Sequence, residues 1–207
     1  MEDPLATSCN LEQNPLHEEQ LEIVKMLQGP VLGLNTVIDE QRQLAYVSFG
    51  EIIESHLDAV NYVRGKVEIP VGRKFRTVVT SAAGYPLDKT YYQTVKGMVT
   101  PLDMLEEGGR LIIASECSEG FGSEAFRNAQ KNLVEQGPDS FLEGISRKPM
   151  ADIDEWQTEM QLKPMRVGSV QLFTTGLNED EKSITGVDSI SSISKAVSIS
   201  ICLLYTS

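Results

Sequence analysis

The chain has 207 residues, with 18 Lys and Arg against 30 Asp and Glu, and a net charge of −12. At 41% apolar residues it can bury a sizeable core and is not a disordered polymer. No stretch reaches the ~20 consecutive apolar residues of a membrane span, and an acidic chain repels phosphate backbones, which argues against nucleic acid as a partner.

The first elements follow from capping and period. Residues 1–13 read as an opening loop. Asn14 is a good N-cap with Pro15 at the first helical position, so a helix is predicted from Pro15 to Leu27, carrying Leu21, Val24 and Leu27 as its apolar stripe and stopped by Gly29-Pro30. Val31 to Ile38 and Leu44 to Phe49 are strand-like and are joined by Asp39-Glu40-Gln41-Arg42, a hairpin. A second helix is predicted from Glu51 to Val63, with Gly65 as its C-cap.

The style changes after Gly72. Arg76 to Thr80 is a short β-branched strand running into the small-residue loop Ser81 to Asp88. Asp88 is expected to cap a helix from Lys89 to Val99, which kinks at Pro101, restarts to Glu106 and ends at Gly108-Gly109. Arg110 to Ala114 is a near-continuous apolar strand of the kind buried on both faces. Helices are predicted over Ser123–Glu135, Phe141–Ile145 and Asp152–Leu162, then a strand over Val167–Phe173 and a short strand and helix within Ser183–Ser200. This alternation predicts an α/β fold, a doubly wound and mostly parallel sheet, preceded by a helix–hairpin–helix segment. Ligands of such sheets bind at the carboxyl ends of the strands. The last seven residues, Ile201 to Ser207, match the translation of a sequencing-library transposon end and are expected to be foreign to the gene.

Few residues offer chemistry. On the helix after Asp88, Tyr91, Val95, Met98, Leu102 and Leu105 form one stripe, while Lys89, Gln93, Lys96 and Thr100 fall nearly opposite. Gln93 and Lys96 are three apart and therefore neighbours. An ammonium beside an amide can hold a carboxylate, by charge from one and direction from the other; the same pair can equally be a solvated face. Gly120, Gly122 and Ala125 fit a loose dinucleotide fingerprint. The surrounding Glu116, Glu119 and Glu124 would repel a pyrophosphate, so a tight strand-to-helix turn is the competing reading. The three cysteines, Cys9, Cys117 and Cys202, form neither a CxxC pair nor a disulfide framework, which suggests a reducing compartment. Cys117, among acids, reads as a packing residue. His17 and His56 read as structural, and two histidines cannot build a multi-histidine metal site. Trp156, the single tryptophan, reads as core or interface on pattern alone.

Three segments together carry more. Gly84-Tyr85-Pro86-Leu87-Asp88-Lys89-Thr90-Tyr91-Tyr92-Gln93-Thr94-Val95-Lys96-Gly97, then Glu107-Gly108-Gly109, then Glu116-Cys117-Ser118-Glu119-Gly120-Phe121-Gly122, resemble the C-terminal domain of the nickel-dependent lactate racemase family. Asn14-Pro15-Leu16-His17-Glu18 resembles a segment late in that family's N-terminal domain. The resemblance implies that residues 1–72 are the tail of an N-terminal, cofactor-bearing domain and 73–200 a truncated C-terminal domain facing the substrate. It implies a cytoplasmic isomerase that racemises a 2-hydroxy acid by hydride and proton transfer, using a nickel–pincer nucleotide tethered to a lysine.

By the same resemblance Gln93, Lys96, Tyr92 and Trp156 are substrate-binding residues, with Lys96 pairing the substrate carboxylate. The family's tethering lysine, its general-base histidines and its nickel-ligating histidine match no position in this chain. The implied expectations are no catalytic residue and no metal ligand within these 207 residues, a missing N-terminal domain as partner, and no racemase activity of the fragment alone. A stand-alone module binding a nucleotide or carboxylate is the alternative, and a non-functional truncated product the third.

Overall fold

A computed structural model describes residues 3–7 and 9–205, with side chains described as far as Cys202. The chain divides between Pro70 and Val71 into two compact units.

In the first unit, helix α1 (Pro15–Met26) is capped by Asn14, whose side chain accepts from the Leu16 amide, and it contains no fully buried residue. Strands β1 (Leu32–Ile38) and β2 (Leu44–Glu51) form an antiparallel ribbon pairing Leu34 with Phe49 and Thr36 with Val47. Helix α2 (Ile52–Val67) packs on one face of the ribbon through Ser55 and Ala59. Asn35 Nδ2 donates to Ser55 Oγ at 3.1 Å, and Ser48 Oγ donates to Asp58 at 2.9 Å. Gly65 is not a cap. The helix continues two residues past it, and the cap is Glu68, whose amide reaches the Arg64 carbonyl and whose carboxylate pairs with Arg64 at 2.8 Å. An exposed glycine costs a helix about 1 kcal/mol and need not end it.

The second unit is an α/β fold. Strands β3 (Phe75–Ser81), β4 (Leu105–Ala114), β5 (Gly168–Phe173) and β6 (Asp188–Ser189) pair in that order, all parallel, among the described residues. The crossovers carry α3 (Tyr91–Val99), then α4 (Glu124–Gln136), α5 (Pro138–Ser146) and α6 (Glu155–Val167), then α7 (Glu179–Ser183). Helix α8 (Ile193–Tyr205) follows β6 and extends into the segment expected to be foreign.

Alternation along the strands assigns the two faces. Leu111 and Ile113 of β4 and Val170 and Leu172 of β5 pack with Tyr91, Val95, Met98, Phe121 and Phe126 in the main core. The opposite face holds Ile112, Gln171 and Arg110, and Gln171 and Arg110 line a cavity with Ala196 and Ile199 of α8. Helices on both faces explain why β4 reads as an unbroken apolar run.

Three expectations change here. Asp88 does not cap α3. Thr90 does, its hydroxyl accepting from the Gln93 amide, while the buried Asp88 side chain turns inward to accept the Glu116 amide at 3.2 Å. The helix after Pro101 is a single 3₁₀ turn, Leu102–Met104, and not a restarted α-helix. Gly108-Gly109 lie within β4 instead of ending a helix: the fully buried Leu105 starts the strand, and the pairing with β3 skips from Leu105 to Arg110 around an outward bulge at Gly108, φ 70°.

Candidate functional site

The carboxyl ends of β3, β4 and β5 converge. Ala82 N donates to the Ala114 carbonyl at 3.0 Å, Ser115 N to Phe173 at 3.0 Å, and Gly176 N to Glu116 at 2.8 Å. The loop after β4 is then zipped to the segment before α3: Cys117 N donates to Asp88 O (2.8 Å), Glu119 N to Lys89 O (2.7 Å), Tyr91 N to Gly120 O and Tyr92 N to Phe121 O (both 3.0 Å). Lys89 Nζ closes on Glu119 at 2.6 Å. This zipper sets α3 at the carboxyl edge of the sheet, the edge at which sheets of this class bind ligands. Gly97 lets the helix lie close, since a Cβ there would stand 3.0 Å from the Ser81 carbonyl oxygen and 3.1 Å from Ile113 Cδ1.

The glycine turn belongs to this zipper and does not form a phosphate cradle. Gly120 N is taken by the Cys117 carbonyl at 2.9 Å, and the first turn of α4 is capped by Ser123, whose Oγ accepts from the Phe126 amide at 3.0 Å. Gly122, at φ 121°, is required by Tyr92: a Cβ there would lie 2.9 Å from Tyr92 Cβ. Cys117 is fully buried, its Sγ 3.4 Å from the hydroxyls of Thr94 and Ser115, as a packing residue should be.

Three of the four residues expected to face substrate form one cluster. Lys96 Nζ lies over the Tyr92 ring, 5.4 Å from its centroid, and Tyr92 stands edge-on to Trp156, centroids 6.1 Å apart and planes at 88°. The Trp156 ring is on the surface, 40% exposed. Gln93 lies half-buried on the same face of α3, one turn before Lys96. The structure separates the two lysines of that face. Lys89 is spent on Glu119, whereas no acidic side chain pairs with Lys96 among the described residues. An ammonium resting on an aromatic face with no counter-ion is free to take an incoming carboxylate.

Burial raises the Tyr92 hydroxyl pKa, and the charge of Asp154 and the hydrogen bond that the phenol donates to it add to the effect. The Tyr92 phenol thus keeps its proton, directed to Asp154.

The supports of this cluster were not foreseen. Gln157, fully buried, donates to the Tyr92 carbonyl at 2.7 Å. The Tyr91 hydroxyl donates to Gln161 Oε1 at 2.8 Å, which also accepts from Gln130 Nε2 at 2.9 Å, while Gln161 Nε2 donates to the Thr185 carbonyl at 2.6 Å. Gln157 and Gln161 are four apart on α6, so one face of α6 presents amides to α3. That i, i+4 pair was visible in the sequence, but its facing partner was not.

Among the described residues no group of three or more His, Cys, Asp or Glu is placed to hold a metal ion. His17 and His56 lie in the first unit with ring centroids 6.3 Å apart. No helix of the described residues is long and apolar enough to cross a membrane.

Comparison with known proteins agrees on one family. The model of the lactate racemase C-terminal domain matches residues 73–200. A lactate racemase of Thermoanaerobacterium thermosaccharolyticum is 33% identical over 126 residues, 61% of this chain and 29% of that protein. A lactate racemase of Lactiplantibacillus plantarum is 26% identical over 160 residues, 76% of this chain and 37% of that protein. The structure of the lactate racemase apoprotein from T. thermosaccharolyticum superposes with a TM-score of 0.85 at 26% identity, over 95% of this chain and 47% of that one. A Thermotoga maritima protein superposes with a TM-score of 0.55 at 13% identity, over 86% of this chain and 47% of that one, a likeness of fold alone. The chain thus spans less than half the length of each of these relatives.

Proposed function

Because this chain belongs to the lactate racemase C-terminal domain family, we propose that its α3–α6 corner is the substrate-facing part of a 2-hydroxy-acid racemase. The observation that carries the reading is the Lys96 ammonium, which lacks an acidic partner among the described residues and lies over Tyr92 beside the exposed Trp156. Lys96 pairs with the substrate carboxylate, and the Gln93 amide one turn earlier fixes its orientation. Tyr92, its phenol engaged by Asp154, lines the site with its ring and seats the Lys96 ammonium, and Trp156 covers the site against water.

The reading gives residues 1–72 to the tail of the N-terminal domain, 73–200 to the substrate-facing domain and 201–207 to foreign sequence. The whole racemase works in the cytoplasm through a nickel–pincer nucleotide, which would supply the hydride acceptor. The residues described here do not fit that group, because they bring no three metal donors together, so its holding falls to the remainder of a whole racemase. The chain alone binds a small hydroxy acid weakly and catalyses no racemisation, since a bound hydroxy acid would meet neither a hydride acceptor nor a paired base.

Titration of the 207-residue chain with lactate, read by Trp156 emission, tests the reading. A saturable change that disappears in Lys96→Ala is expected, with no response to NAD or AMP. An undiminished response in Lys96→Ala would remove Lys96 from the site, and a response to the nucleotides would favour a nucleotide-binding module.

A further inference from the structure

Tyr92 stands edge-on to two rings from two different helices. Phe126 of α4 lies with its centroid at 5.2 Å and its plane at 82°, and Trp156 of α6 at 6.1 Å and 88°. The ring is therefore held between the first turns of α4 and α6, in the T-shaped contacts that aromatic rings prefer.

A hydrogen bond links those two turns beside it. Ser123 Oγ donates to Asp154 Oδ2 at 2.5 Å. Ser123 caps α4 three residues before Phe126; Asp154 precedes α6, two residues before Trp156. Both residues are in unusual service. The Ser123 hydroxyl accepts from its own helix and donates to another. Asp154 sits at the N-cap of α6 yet caps no amide of it, and its backbone is left-handed, φ 68° and ψ 0°. A non-glycine residue is uncommon in that region, and an aspartate at a helix start ordinarily accepts from its own helix. Asp154 forgoes the local bond and reaches across to α4.

Resting on the reading of the α3–α6 corner as a substrate site, we propose that Asp154 is a positioning residue: by binding Ser123 it ties the start of α4 to the start of α6 and so fixes the Tyr92 ring, and with it the seat of the Lys96 ammonium. Asp154 touches no substrate in this account. It acts through Tyr92, whose raised hydroxyl pKa it supports.

The experiment uses the 207-residue chain and its one tryptophan. Near-ultraviolet circular dichroism reads the fixed Tyr92–Trp156 geometry, and far-ultraviolet dichroism reads the fold. Asp154→Ala and Ser123→Ala each lose the near-ultraviolet band with the far-ultraviolet spectrum intact. Asp154→Asn, whose amide oxygen still accepts from Ser123, retains it. Asp154→Asn also lowers the alkaline midpoint at which ionised Tyr92 quenches Trp156, because the charge is gone. An undiminished aromatic band in both alanine variants, or no rescue by asparagine, overturns the tie. Should Asp154→Ala not fold, Ser123→Ala against Asp154→Asn still decides. These readouts need no substrate, so a failed lactate titration would sink the function proposed above without touching them.

Discussion

The two units of the chain bury different things. In the first, the buried residues are small or polar: Ala6, Asn14, Ser48, Ser55 and Ala59. The ribbon face away from α2 carries Leu32, Leu34, Val47 and Phe49, each 48–67% exposed. In the second unit, Tyr91, Phe121, Phe126, Met98, Leu111 and Ile113 are 1% exposed or less. Similar apolar content therefore has two fates. Parallel strands with helices on both faces enclose their side chains, whereas a two-stranded ribbon with one helix covers one face only. A contiguous exposed apolar face is the mark of an interaction surface.

The largest effect that sharpens this contrast is in the core. Phe126→Ala is expected to cost about 3–5 kcal/mol in urea unfolding of the second unit. Phe49→Ala in the ribbon should change stability by less than about 0.5 kcal/mol. Equal losses would break the comparison, by showing that the ribbon face is covered. Next comes the amide seam between α3 and α6. Gln161→Leu leaves the Tyr91 hydroxyl on the Thr185 carbonyl at 3.0 Å but strands the buried Gln130 amide, and a cost of about 1–3 kcal/mol should appear in the same unfolding curve. Gly122→Ala, at φ 121° against Tyr92, should cost about 1 kcal/mol or more and weaken the near-ultraviolet signal.

The smallest effect is acid sensitivity, and its sign is the same in both units. The Tyr46 and Ser48 hydroxyls hold the Asp58 carboxyl below its ordinary range, and Arg127 does the same for Glu181. A carboxylate depressed in the folded state stabilises above its unfolded pKa and loses that contribution as pH falls through the folded one. Stability should therefore fall below about pH 4. Asp58→Asn should flatten the fall in the first unit and Glu181→Gln in the second, as read by hydrogen exchange. A variant that keeps the full acid slope would clear its residue of the effect.

Much of this architecture is legible in the sequence because its signals are local. Asn14-Pro15, the apolar run from Arg110 to Ala114 and the stripe Tyr91, Val95, Met98 each state their element within a turn or a strand. The misreadings share a cause, which is that a distant partner outbid a local rule. Asp88 looks like a cap until the Glu116 amide, 28 residues away, claims its carboxylate. Gly108-Gly109 look like a helix end until β3 recruits Leu105 into the sheet. The candidate site was divided in the same way. Gln93 and Lys96 are neighbours on any helix, but that Lys89 is spent and Lys96 is not depends on Glu119, and that Trp156 meets Tyr92 depends on the packing of α6 against α3. Asp154 and Ser123 left no joint signal, since they are 31 residues apart.

The most direct measurement is racemisation by a chimaera in which residues 73–200 replace the matching segment of the Thermoanaerobacterium enzyme, comparing Lys96→Gln with Lys89→Gln. Both variants remove one cation from the same face of α3. If Lys96 receives the carboxylate, kcat/KM falls at least about tenfold in Lys96→Gln, with cofactor loading intact, and much less in Lys89→Gln. Equal turnover in the two variants would contradict the assignment.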